Sequence, residues 1–155
     1  MSKYRSWKFY LLSLGTVIAS NVVCVSEALA TTATGNQNPD FTVSASLASR
    51  GTPDPDVAAA GQTVDVILSV RNNRPLKFPP KVHQVQLRLT VQLPSGESFN
   101  VATNVPLFPE QTARVAFDFN VKPTLPRGAY ALTVEANEVD STAPTSSATG
   151  TLTIV

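Results

Sequence analysis

Apolar and polar residues alternate along this chain in short runs, each closed by proline, glycine or small polar residues. Phe41, Val43, Ala45 and Leu47 alternate with Thr42, Ser44 and Ser46, and Val64, Val66, Leu68 and Val70 alternate with Asp65, Ser69 and Arg71. From Gln84 to Leu93 the apolar set is Val85, Leu87, Leu89, Val91 and Leu93, and the polar set is Gln84, Gln86, Arg88, Thr90 and Gln92. Successive side chains of a strand point to opposite faces, so this two-residue period predicts strands with one buried and one solvated face. Pro94-Ser95-Gly96 predicts a tight turn, with proline early and glycine supplying positive φ. Pairing Leu93 with Glu97 then sets Val91 opposite Phe99 and Leu89 opposite Val101, so the turn and the hydrophobic register agree.

Two more strands follow around a proline-punctuated corner. Val115, Phe117, Phe119 and Val121 share one face of Ala113 to Val121, while Tyr130, Leu132, Val134 and Ala136 share one face of Ala129 to Ala136. Lys122-Pro-Thr-Leu-Pro-Arg-Gly128 lies between them. The stretch Leu125-Pro126-Arg127-Gly128-Ala129-Tyr130-Ala131-Leu132-Thr133-Val134-Glu135-Ala136 resembles the E–F corner and F strand of fibronectin type III and related bacterial immunoglobulin-like domains. That resemblance implies that Leu125 plugs the end of a sandwich and that Tyr130 buries its ring and returns its hydroxyl to nearby backbone, the tyrosine corner. With about seven strands and no convincing amphipathic helix beyond the leader, the expected fold is an immunoglobulin-like antiparallel β-sandwich over residues 41–155.

The connecting segments carry further expectations. Residues 31–40 (TTATGNQNPD) are small, polar and turn-rich, which predicts a flexible lead-in. A donor strand for a neighbouring subunit would need alternating large apolar residues, which this segment lacks. Arg50 to Gly61 reads as a loop, Asn104 to Gln111 as a crossing between sheets opposed to regular pairing by Pro106 and Pro109, and Glu138 to Thr149 as a small-residue loop before a last short strand, Thr151 to Val155.

The first thirty residues are of another kind. Lys3, Arg5 and Lys8 precede a largely apolar run from Phe9 to Val25, and Ala28-Leu29-Ala30 offers a small-x-small site. This is the pattern of a secretory signal peptide, residues 1–30, cleaved after Ala30. Ser13, Gly15, Ser20 and Asn21 interrupt the run, making it a poor match to the ~20 apolar residues of a spanning helix. Cys24, the single cysteine, has Val23 before it rather than the small residue that lipoprotein processing requires. Cleavage would leave a chain without cysteine, destined for the periplasm, the cell surface or the medium, with stability from packing alone. It would also leave nine basic and ten acidic side chains. That near-balance indicates neither nucleic acid nor, after signal cleavage, a membrane as partner.

Little in this composition supports catalysis. His83 is the single histidine, so a two-histidine or Cys–His metal site within one mature chain is excluded. No serine stands in a nucleophile-elbow sequence and no glycine-rich phosphate loop occurs. Asp54 and Asp56 have a spacing seen in calcium loops, but the further carboxylates and the glycine turn are missing. The expectation is a non-enzyme with no cofactor and no metal.

Binding is the better-supported role, and one loop stands out for it. Between Asp65 and Glu97 there is no acid, while Arg71, Arg74, Lys77, Lys81 and Arg88 supply five of the nine mature basic residues. Asn72 to Val82 (NNRPLKFPPKV) holds Arg74, Lys77, Phe78 and Lys81 among three prolines, a stiff basic loop with an aromatic at its tip. In an immunoglobulin-like sandwich it lies beside the loop that carries Glu138 and Asp140. The loop is the candidate contact for another protein, with a structural, adhesive or interaction role. The opposing expectation is that Leu76 and Phe78 fold under it as a cap on the core. A carbohydrate-binding module is an alternative, but such platforms favour exposed Trp and Tyr, and the mature chain has no Trp and commits Tyr130 to the corner. A periplasmic accessory or chaperone-like role is another alternative.

Overall fold

A computed structural model describes residues 33–34, 38–50, 54, 56–142 and 145–155. The signal-peptide reading lies outside these residues. The described chain forms nine strands and no helix: β1 (Ala33–Thr34), β2 (Phe41–Arg50), β3 (Val57–Ala58), β4 (Thr63–Asn72), β5 (His83–Gln92), β6 (Ser98–Leu107), β7 (Thr112–Asn120), β8 (Gly128–Glu138) and β9 (Ser146–Ile154). One sheet has the order β1-β9-β8-β5-β6, with β3 also pairing to β9, and the other has the order β2-β4-β7. Together they make an immunoglobulin-like antiparallel β-sandwich of seven long strands, to which the two-residue β1 and β3 are added along the edge of β9.

The alternation seen in the sequence is what the packing uses. Val64, Val66, Leu68 and Val70 of β4 face Val85, Leu87, Leu89 and Val91 of β5 across one core, with Tyr130, Leu132, Val134 and Leu152 completing it. Each fully buried aliphatic side chain contributes roughly 1.5–3 kcal/mol relative to exposure. The hairpin has the expected register, Val91 opposite Phe99 and Leu89 opposite Val101, and Leu93 N–H donates to Glu97 O at 2.8 Å. Gly96 turns the chain at φ 88°. Gly128 also has positive φ, at 132°, and a Cβ there would crowd Pro94 Cγ at 3.1 Å. The hairpin turn is thus packed against the corner that precedes β8.

That corner closes as the resemblance implies. Tyr130 is fully buried, and its hydroxyl donates to Pro126 O at 2.7 Å. Burial raises the phenol's pKa above its ordinary value.

Four connecting segments differ from the sequence reading. β6 runs through Pro106 to Leu107, so the crossing between sheets is only residues 108–111. The reason is the position of Pro106 on a sheet edge. Gln84 C=O accepts from Val139 N–H on the β8 side at 2.8 Å, so at the Gln84–Pro106 rung the backbone groups point away from each other. The proline nitrogen faces the outer rim, where no hydrogen is required. β9 begins at Ser146, paired with Ala136 of β8; its small inward residues Ser146 and Ala148 are fully buried, and Ser146 Oγ accepts from Asn38 N–H and donates to Phe41 O. Val57–Ala58, within the expected 50–61 loop, pairs in parallel with Thr153 and Ile154. Ala33–Thr34, within the expected lead-in, pairs with Thr149 and Ala148.

The sandwich is not equally closed along its length. At one end of the β6–β7 flank Val105, Leu107 and Val115 are buried, whereas Phe99, Val101, Phe117 and Phe119 are only half-buried. Between them opens an apolar cleft of about 40 Å³ that reaches Val66, Leu89 and Leu132.

Candidate functional site

The strand ladders bring one set of loops to one pole. The ends of β4, β6 and β8 and the starts of β2, β5, β7 and β9 meet there, as Phe41↔Asn72, His83↔Leu107 and Arg71↔Thr112 show. Residues 38–40, 73–82, 108–111 and 139–142 therefore form the apical surface.

Its base is a charge cluster around Arg74. Asn72 Oδ1 accepts the Arg74 backbone N–H at 3.1 Å, an Asx-type turn that aims the side chain back across the pole. The guanidinium lies over the Phe41 ring, 4.9 Å from its centroid. Arg74 Nη2 donates to Glu138 Oε2 at 2.8 Å and to Asp40 Oδ2 at 2.9 Å, and Nη1 reaches Glu138 Oε1 at 3.2 Å. His83 Nδ1 is 2.6 Å from both Arg74 Nη1 and Glu138 Oε1. One ring nitrogen cannot serve both neighbours at once: protonated it donates to Glu138, unprotonated it accepts from Arg74.

The hydrogen bonds from Arg74, helped by one from His83, hold the Glu138 carboxyl down to about 2 against the cost of its burial. The same bond to Glu138, with that to Asp40, raises the Arg74 guanidinium pKa. The guanidinium supplies at the centre of this acid pair the positive charge that a cation would otherwise bring. Among the described residues no three His, Cys, Asp or Glu side chains gather into a metal-holding group.

Around this base the loop is pinned by its own backbone. Asn73 N–H donates to Asp40 O at 2.8 Å, and Asn73 Nδ2 donates to Thr42 Oγ1 at 2.7 Å and Pro39 O at 3.2 Å. Asn72 N–H donates to Gln111 O at 2.9 Å, which ties the 73–82 loop to the 108–111 turn. That turn has Glu110 at φ 64° and is closed by Gln111 Oε1 accepting from Phe108 N–H at 3.0 Å.

Beyond the base the tip is apolar. Phe78 is 97% exposed, Leu76 61%, Phe108 44% and Val82 39%. Four of the five exposed large hydrophobics of the described chain therefore stand at this pole, the fifth being Val155 at the C-terminus. Val82 and Phe108 flank the last β5–β6 rung, His83↔Leu107, each one residue beyond it. The Phe78–Pro79 peptide is cis, in a loop that holds Pro75, Pro79 and Pro80.

The four candidate residues are thus separated by the structure. Lys77, Phe78 and Lys81 are exposed on the tip, whereas Arg74 is half-buried in the base and bound to Glu138 and Asp40. Leu76 and Phe78 do not cap the core. Phe108 is not legible as a site residue in the sequence, because it falls within the expected Asn104 to Gln111 crossing. The signal was an apolar residue standing one place beyond the ladder. The sequence pattern also places Asp40 in a lead-in and gives no role to His83, both of which the fold brings to Arg74.

No protein-family model matches the chain, and no curated protein matches it. Among solved structures, the CARDB domain of the PF1109 protein from Pyrococcus furiosus, in complex with di-metal ions, aligns with a TM-score of 0.54 and 18% identity. That alignment covers 77% of this chain and 90% of that one. The C-terminal domain of wzt aligns with a TM-score of 0.50 and 12% identity, over 81% of this chain and 78% of that one. At such identities the likeness is one of fold, and that fold is the immunoglobulin-like β-sandwich.

Proposed function

We propose that this chain is an exported, non-enzymatic immunoglobulin-like module that binds another protein through the pole formed by residues 73–82 and 108–111. The observation that carries this reading is the gathering of Leu76, Phe78, Val82 and Phe108 at one pole, the first three on a loop whose base is tied down by Arg74. Exposed apolar residues held together on a preordered surface mark interaction sites. The prolines and the tied base leave little ordering entropy to oppose binding. Lys77 and Lys81 flank Phe78, which favours a partner with an apolar pocket rimmed by acids. Tyr130 bonding Pro126 O supports the finer reading as a fibronectin type III-like domain.

The test immobilises the processed protein, Phe78→Ser and a control at the opposite pole, Arg127→Ser, and exposes each to an envelope extract of the source cell. A protein retained by the native chain and by Arg127→Ser, but lost with Phe78→Ser, is the expected result. Equal retention by all three would remove the tip as the site.

A further inference from the structure

The outer rim of β6 is the second feature of this molecule that points to a partner. Among the described residues no strand pairs with it, whereas the opposite edge of the same sheet, β9, is covered by β1 and β3. From Ser98 to Leu107 the strand carries no charged residue. Exposed edges of natural sheets are ordinarily blunted by charge, proline or bulges, since a bare edge is a template for another strand, and of these β6 has only Pro106 near one end. The rung geometry tells which groups it offers. Leu93 N–H bonds Glu97 O on the β6 side, while Gln84 C=O bonds Val139 on the β8 side. By alternation, Ser98, Asn100, Ala102 and Asn104 direct their N–H and C=O groups to the outer rim, and Pro106 directs its C=O there.

We infer that a second copy of this chain pairs along that rim, β6 against β6, antiparallel about a two-fold axis at Ala102. This register follows from self-complementarity. An axis at Ala102 sets Asn100 opposite Asn104 of the copy, joining neutral amides that donate and accept equally, and it brings no like charges together. It also sets Ser98 opposite Pro106, so that the missing N–H falls at the two outer ends. On the inner face it aligns Phe99 with Val105 and Val101 with Thr103 of the copy, an aromatic and β-branched match of the kind that stabilises adjacent strands.

The same pairing accounts for the open flank. Phe99 and Val101 are half-buried on β6 beside half-buried Phe117 and Phe119, and an added strand along the rim brings apolar side chains to the mouth of that cleft. Because the two strands run in opposite directions, the two apical poles face opposite ways. Such a dimer links two partner molecules rather than gripping one twice.

Sedimentation velocity of the purified protein, as the cell processes it, should show a concentration-dependent dimer across the micromolar range. Ala102 is exposed, so Ala102→Lys should keep the native unfolding midpoint when both are measured at concentrations low enough to be monomeric, while weakening self-association by at least about tenfold through like charges at the axis. Ala102→Glu should behave in the same way. Mixing the two variants should restore the dimer, because the axis then joins opposite charges. A native chain that stays monomeric overturns the proposal, as does a lysine variant that associates like the native chain or a mixture that stays monomeric. These substitutions leave the apical pole untouched, so their failure is distinct from failure of the binding site there.

Discussion

Glu138 accepts two hydrogen bonds from Arg74, at 2.8 and 3.2 Å, across the 64 residues that separate them. This contact joins the end of β8 to the β4–β5 loop and makes the base of the apical surface a built structure rather than a free segment. Its energetics are accessible through pH. The Glu138 carboxyl is depressed in the fold to about 2 from an ordinary 4.5. The stability it contributes is therefore fully present above that ordinary value and lost as the pH falls towards about 2. Glu138→Gln should lower stability by about 1–3 kcal/mol at neutral pH. Urea midpoints of the two proteins should converge on acidification, and a gap independent of pH would show that the ion pair is not its source.

Phe78 separates binding from folding. Its ring is almost wholly exposed, so Phe78→Ser should change stability by no more than about 0.5 kcal/mol. Replacing Lys77 and Lys81 by serine should also leave the urea midpoint in place, yet slow association with the partner most at low salt. A large stability loss in either variant would mean that the tip packs against the core after all.

The core should show a gradient along its length. Leu87 is fully buried, and Leu87→Ala should cost about 3–5 kcal/mol. Phe117 carries the larger side chain but lines the open cleft half-buried, so Phe117→Ala should cost about 2 kcal/mol, below the range for a fully buried aromatic. Equal or reversed costs in urea unfolding would show that the flank is closed in solution.

At the opposite pole, Tyr130→Phe removes the bond to Pro126 O and little else. The expected loss is about 0.5–1.5 kcal/mol by thermal or urea unfolding. A neutral outcome would reduce the corner to a packing feature.

Export is checked by mass. The mature protein should begin at Thr31, after the Ala28-Leu29-Ala30 site. A stable product that retains Lys3 to Lys8 would argue for an anchor instead.

By itself the sequence determined the sandwich, because the period-2 pattern leaves only one face of each strand to bury. The turn Pro94-Ser95-Gly96 then sets the β5–β6 register in steps of two. Tyr130 was legible for the same reason: its partner Pro126 lies four residues away, and local geometry closes the bond. Three kinds of feature were not legible. The full length of β9 was hidden because its inward residues, Ser146 and Ala148, are small, and a hydrophobic pattern does not register tight packing. The tolerance of Pro106 depended on which way a rung faces, which only the neighbouring strand decides. Arg74 looked like a free cation on a basic loop. Tertiary structure alone brought it to Glu138, Asp40, His83 and the Phe41 ring, since those partners come from three other segments of the chain. Likewise Phe108 joined Phe78 at one pole only when the β5–β6 ladder fixed where both strands end. Side-chain alternation is a property of each strand, whereas a site is a property of how strands end together.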